Sequence, residues 1–334
     1  MTQPKLKWGI MGCAGIAQGA VIPGIHASQT GEVVAIASRH LEKAQQTAQK
    51  WNIPIAYGSY EELLADSQID AVYIPLPNHL HKPWTIKAAQ AGKHVLCEKP
   101  AALNARETQE MVIACHQAGV QWAEAFMYRH HPRYQLMKDV IRSGEIGTLR
   151  GIHSNFTFNS SSNKGNFRFD RSMGGGSIYD VGVYPISAAR FILEEEPEAV
   201  TVHALFSPEH GDVDMMASGL IEFPDGMSLT FDCGMWGYYR NELEILGTQG
   251  RIVVPSAYVD PRDAGSNFYI QTDQGKRDIE VPQVNQFALE VDDLAYAVWG
   301  QKPLHFSASD AIMNMRVVDA CLRSARERCR VVLY

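Results

Sequence analysis

From Trp8 to Gly31 the chain carries no Asp, Glu, Lys or Arg, while Gly9, Gly12, Gly15, Gly19, Gly24 and Gly31 punctuate it. The length alone would accommodate a membrane span or the apolar region of a signal peptide. The content does not suit either. Gln18, Pro23, His26 and Gln29 interrupt the stretch, and only Trp8 to Met11 and Ala20 to Ile22 are continuous apolar runs. Ile10-Met11-Gly12-Cys13 resembles a lipoprotein cleavage box, but an apolar segment ending at Gly12 is too short for export. The expectation is a buried strand, a glycine-rich turn and a helix, in a cytoplasmic protein.

The next hundred residues extend that pattern. Leu6 to Met11, Val33 to Ala37, Ala71 to Ile74, His94 to Cys97 and Gln121 to Ala125 read as strands. Between them lie helical runs at 41–51, from the capping box Ser59-Tyr-Glu-Glu62 through Asp66, at 83–91, and from Asn104 with Glu107 three residues on to Gly119. Strands alternating with helices imply a doubly wound parallel sheet, a Rossmann-type dinucleotide-binding domain over 1–125.

After residue 125 the pattern changes. Thr148 to Phe158 is a long strand, and 159–173, rich in Ser, Asn and Gly, reads as a mobile loop. A helix follows Gly174-Gly175-Gly176, and beyond Val200 alternation such as Met227 to Cys233 indicates antiparallel strands. Turns are expected at 224–226, 247–250 and 272–275, and helices at 286–299 and 307–328. The expectation for 126–334 is an α+β substrate-binding and oligomerisation domain with a large, mostly antiparallel open sheet. One face of such a sheet needs a cover, which a partner copy in a homodimer or homotetramer would supply.

Composition narrows the function classes. The 334 residues are 46% apolar and 20% charged, enough for sizeable cores, and the net charge of −7 gives no pull toward nucleic acid or an anionic membrane. Cys13, Cys97, Cys115, Cys233, Cys321 and Cys329 form no CxxC pair, so reduced thiols are the default.

Chemistry-bearing residues gather at predicted strand ends. Gly12-Cys13-Ala14-Gly15-Ile16-Ala17 follows the first strand and approximates the G-x-G-x-x-G/A phosphate turn. Gly12 makes the tight turn, Gly15 in place of Ala14 gives close backbone approach, and Ala17 lets the helix pack on the sheet. Where an NAD site wants a carboxylate after the second strand, the chain has Ser38 and Arg39. A hydroxyl and a planar cation suit a 2′-phosphate, which favours NADP, with NAD possible. Pro75-Leu-Pro77-Asn78-His79-Leu-His81 turns the chain at the carboxyl edge of the sheet, where ligands bind in such folds. His79 and His81 have no third ligand nearby in sequence, so no metal is expected. Glu98-Lys99-Pro100 reaches the same edge. Further on, Asp180 and Tyr184 are spaced to share a helix face, and the loop offers Phe167 and Arg168 for stacking on and bonding to a sugar.

Taken together, Gly9 to Ala17, Pro77-Asn78-His79 with His81, Glu98-Lys99-Pro100, Gly144-Glu-Ile-Gly147 and Gly175-Gly176 through Asp180 to Tyr184 resemble the Gfo/Idh/MocA oxidoreductase family. Tyr at 184 makes the branch of dimeric dihydrodiol and NADP-dependent D-xylose dehydrogenases the most similar. The resemblance implies that Lys99, Asp180 and Tyr184 carry catalysis. It implies cofactor contacts from Gly12, Cys13, Ala14, Gly15, Ile16, Ala17, Ser38, Arg39, Pro75, Asn78, His79, His81, Glu98 and Lys99, and substrate contacts from Lys99, Phe167, Arg168, Asp180 and Tyr184. The expected activity is hydride transfer between a nicotinamide and a sugar, cyclitol or dihydrodiol. Two other readings keep the scaffold: a glycosidase that uses NAD, and a non-catalytic nucleotide-sensing regulator.

Overall fold

A strand buried on both faces must be apolar throughout, and in the computed structural model, which describes residues 4–259 and 267–333, β1 (Leu6–Met11) has Trp8, Ile10 and Met11 fully buried. The uncharged stretch continues through a π turn at Ala17–Val21 into α1 (Ile22–Ala27), where Ala17, Val21, Ile22 and Ile25 are fully buried against the same core.

The chain forms two compact units. The first comprises 1–130 and 285–312, the second 131–284 and 313–334. The first unit therefore does not end at a single cut near 125. In it follow β2 (Gly31–Ala37), α2 (Leu41–Trp51), β3 (Ile55–Tyr57), α3 (Tyr60–Ala65), β4 (Ala71–Ile74), α4 (His81–Gln90), β5 (His94–Glu98), α5 (Ala105–Gln117) and β6 (Trp122–Ala125). The short strand β3 was not foreseen. Side-chain oxygens cap two of the helices: Ser59 accepts from the Glu62 N–H, and Asn104 from the Glu107 N–H. The six strands are parallel and lie in the order β3-β2-β1-β4-β5-β6. The direction of winding reverses between β1 and β4, the crevice where dinucleotides bind in doubly wound sheets.

The remaining segments belong to the second unit, except Gln286–Val298 and the first five residues of Ala308–Glu327, which belong to the first. They are α6 (Arg133–Ser143), β7 (Leu149–Asn159), α7 (Val183–Leu193), β8 (Ala199–Ser207), β9 (Val213–Glu222), β10 (Ser228–Gly234), β11 (Trp236–Gly247), β12 (Gly250–Val254), β13 (Phe268–Thr272), β14 (Gly275–Ile279), α8 (Gln286–Val298), α9 (Ala308–Glu327) and β15 (Val331–Val332). Of these, α8 seals the first unit. Asn285 caps it, and Asp292 accepts from the Gln29 and Thr30 N–H groups and from the Thr30 hydroxyl. Gly24 of α1 lets it approach: a Cβ there would sit 2.7 Å from the Cβ of Phe287.

The second unit is built on a nine-stranded sheet ordered β14-β13-β12-β11-β7-β10-β9-β8-β15. Among the described residues, only the β7–β10 pair of this sheet is parallel. On β10 burial alternates, and α7 packs on the inner face. On the other face His153, Thr201, His203, Leu205, Ser218 and Leu220 are exposed within the chain. The segment 159–173, expected to be a mobile loop, is organised by local bonds into short 3-10 turns at Phe167–Phe169 and Arg171–Met173. Asn166 and Asp170 accept from the Arg168 and Ser172 N–H groups. Asn and Asp side chains imitate a backbone turn in this way, which composition alone does not disclose. Among the described residues no helix is long and apolar enough to cross a membrane.

Candidate active site

In the first unit the candidate residues converge on the carboxyl ends of β1, β2, β4 and β5. Gly12 has φ +126°, a conformation that L side chains rarely adopt. Cys13 is buried and directs its Sγ toward the Lys43 carbonyl, so it packs the turn. Ala14 is half-buried, and Gly15 and Ile16 are exposed. A Cβ on Gly15 would meet nothing within 4 Å, so the turn's outer side is open. No side chain at Ile16 caps the helical segment, and the Gln18 N–H is taken by the Ala14 carbonyl at 3.1 Å, so an anion would be met by the backbone before Gln18. A helix start without a side-chain cap, an open glycine and the reversal of strand order together fit a dinucleotide's phosphates.

Ser38 is buried, with its Oγ accepting from the His40 N–H, and Arg39 is exposed beside it. Tyr60, whose hydroxyl lies close to Gly12, links the two loops. Burial pushes its phenol up, and the Arg39 charge pulls it back. The sequence reading missed Tyr60; its signal was an aromatic residue directly after the Ser59 cap, at the first position of a helix.

His81 is fully buried, with Nδ1 2.9 Å from the Pro100 carbonyl and Nε2 2.7 Å from the Leu76 carbonyl. Burial pulls the imidazole below its ordinary value. Its place is that of a strut joining the Pro75–Pro77 turn to the Lys99–Pro100 turn, and any part in cofactor binding runs through those loops. Asn78 is buried, and Pro75, the residue after β4, is buried as well; His79 is half-buried. At the end of β5 the Tyr73 hydroxyl donates to Glu98 Oε1 at 2.5 Å. Burial, then the Glu98 charge, pushes the Tyr73 phenol far up. Lys99 follows, half-buried, before a cis bond to Pro100. Glu290 on α8 is 3% exposed, and burial and then the Glu98 charge push its carboxyl far up.

In the second unit a π turn, Ile178–Gly182, leads into α7 and carries Asp180, with Tyr184 in the first turn of α7. Such turns occur often at functional sites. Tyr184 is 5% exposed, its ring 5.2 Å from both Phe156 and Tyr258. Arg168 Nε lies 2.8 Å from Asp180 Oδ2, and the guanidinium covers the half-buried Phe167 ring at 4.9 Å. The loop therefore meets the helix through an ion pair, not simply through aromatic faces. Phe156, Tyr258 and Asp214 were not foreseen. Asp214 did leave a signal, an acidic residue among Val213, Met215 and Met216 in an apolar strand.

A parallel sheet wound in this order with a glycine turn at its switch point defines a nucleotide-binding α/β protein. Comparison with known proteins makes the class specific. Residues 6–126 match the model of the oxidoreductase family with an NAD-binding Rossmann fold, and residues 134–253 match the GFO/IDH/MocA C-terminal domain. The chain belongs to the Gfo/Idh/MocA family of oxidoreductases. It is 38% identical to a D-xylose 1-dehydrogenase (NADP(+)) of Haloferax volcanii over 98% of this chain and 100% of that one. It is 35% identical to the mouse trans-1,2-dihydrobenzene-1,2-diol dehydrogenase over 73% of each chain. A 3-ketoreductase from Actinomadura kijaniata, solved with NADP and TDP-benzene, superposes with a TM-score of 0.91 at 30% identity, covering 96% of this chain and 98% of that one.

Proposed function

We propose that this protein is an NADP-dependent dehydrogenase or reductase of carbohydrate-type alcohols and carbonyls, with Tyr184 as the proton-transfer group. The observation that carries the cofactor half is the Gly12–Ala17 turn, open at Gly15 and uncapped at Ile16, at the switch point of the sheet. Gly12 to Ala17 would hold the phosphates, and Ser38 and Arg39 the 2′-phosphate. NADP, when bound, supplies or accepts a hydride. The relatives' names support a sugar-type substrate: one is a D-xylose dehydrogenase with NADP, another a reductase solved with NADP.

The chain's own residues then handle the proton. A phenol, with a pKa of about 10, is a poor base at neutral pH. A neighbouring ammonium lowers such a group by roughly 1–3 units. Lys99 takes that part and bonds the reacting oxygen. Asp180, held by Arg168, orients a substrate hydroxyl, and Tyr184 takes the hydroxyl proton in oxidation and returns it in reduction. The exposed face of the nine-stranded sheet is the proposed contact of a homodimer or homotetramer, which light scattering reads directly.

The test is Tyr184→Phe across a panel of aldoses, cyclitols, keto-sugars and dihydrodiols, each with NADP and with NAD. Turnover should fall by about 10²–10⁴-fold with NADP binding retained. Near-normal turnover removes Tyr184 from the mechanism. A panel silent at 340 nm, with glycoside cleavage instead, moves the assignment to an NAD-dependent glycosidase.

A further inference from the structure

The first N–H groups of a helix lack acceptors within it. In this chain Ser59, Asn104 and Asn285 solve that problem locally, each capping the helix it precedes. The segment bearing Asp180 and Tyr184 is treated differently. No side chain at its own start caps it. Its acceptor comes from the neighbouring strand β9: Asp214 Oδ2 accepts from Ser177 Oγ at 2.8 Å and from the Ile178 N–H at 2.7 Å. Asp214 is 2% exposed, and Ser177 and Ile178 are fully buried.

The surroundings are shaped for this contact. Gly176 has φ +121°, and a Cβ on it would overlap the Asp214 carboxylate. From β10, Cys233 Sγ lies 3.7 Å from Ser177 Oγ and would lie 3.0 Å from a Cβ on Gly182. Burying a carboxylate between Val213 and Met215 is costly when a surface Ser or Asn cap would suffice. The cost makes sense where the position of a helix matters more than its stability. We infer that Asp214 is a positioning residue, fixing from β9 the first turn of the segment that carries Asp180 and Tyr184 and thereby holding both for proton transfer. The inference rests on the reading of Tyr184 given above.

The charge state of Asp214 governs the grip. Burial pushes its carboxyl up to about 6, against the pull of the Ile178 and Ser177 hydrogen bonds. The titratable group facing it from β10 is the Cys233 thiol, which burial pushes far up and so keeps neutral. The helix side carries Asp180, paired with Arg168. Above about pH 6 a carboxylate accepts these bonds at full strength. Below it a neutral acid accepts them more weakly. Turnover should therefore fall as pH drops through about 6, with NADP binding unchanged.

The experiment compares the wild type with Asp214→Asn and Ser177→Ala. Measured are kcat from pH 5 to 9, the NADP dissociation constant as a folding control, and amide exchange of a peptide spanning 176–184. The expected result for Asp214→Asn is a kcat at pH 8 lowered on the order of 10–100-fold, no step near pH 6, and faster exchange in that peptide. Ser177→Ala, which loses only the hydroxyl's bond, should lose several-fold less. Wild-type kcat and exchange in Asp214→Asn overturn the inference, and so does a lowered kcat that keeps the step. If Tyr184→Phe proves fully active, the catalytic reading fails by itself, and the exchange data still report on Asp214.

Discussion

Arg168 Nε and Asp180 Oδ2 are 2.8 Å apart, so the loop after β7 is tied by charge to the turn that opens α7. The pair is partly exposed, at 33% and 12% of the two side chains, so its worth lies in placement more than in stability. Arg168→Met should raise KM for the best sugar substrate about tenfold, or ~1.4 kcal/mol, without changing NADP affinity. Steady-state kinetics and a cofactor fluorescence titration check this. An unchanged KM would show that the pair only shapes the loop.

Arg39 stands exposed at the end of β2, next to Tyr60 and the Gly12 turn. Arg39→Asp should lower kcat/KM with NADP by roughly 10–100-fold, ~1.4–2.8 kcal/mol, and leave the NAD value nearly untouched. A variant that loses both cofactors equally would contradict the role given to Arg39.

Glu290 is buried, and its carboxyl is held well above the ordinary range, first by burial and then by the Glu98 charge. The folded state keeps this proton to higher pH than the unfolded chain does. Stability from this group is therefore full below the ordinary carboxylate range and lost as pH rises through the folded value. Glu290→Gln cannot ionise. Relative to wild type, its urea midpoint should gain between pH 5 and pH 8, by ~1–3 kcal/mol in stability. Parallel pH dependence in the two proteins would disprove the assignment.

Gly24 is the close approach between α1 and α8, with the Phe287 backbone carbon 3.2 Å from where a Cβ would stand. Gly24→Ala should cost about 1–3 kcal/mol through overpacking, read as a lower melting temperature. NADP preference should not change, since the substitution lies away from Ser38 and Arg39.

Much of the parallel sheet was legible because its signals are local. A two-face-buried strand is apolar in any context, and Ser59 with Glu62 or Asn104 with Glu107 announce helices three residues ahead. The glycine turn, Arg39 and the resemblance pointed to the proposed cofactor half for the same reason. Strand β3 is short, with all three residues half-buried, and left no periodicity to read. Tyr60 and Asp214 act through partners far away in sequence, and spacing cannot reveal such pairs. The same limit hid the docking of α8, a helix the sequence did announce: its attachment to Gln29 and Thr30 depends on the fold.

That attachment bears on how the protein is made. The ribosome delivers the glycine turn and all six parallel strands early, but Asp292 and the face of α8 that closes over Ile22 and Ile25 emerge only after the whole nine-stranded sheet has been synthesised, save its last short strand. Until then the Gln29 and Thr30 amides lack their carboxylate and α1 lacks its cover. The nucleotide-binding half therefore begins first and finishes late, and a fragment cut after β6 would lack the helix that closes it.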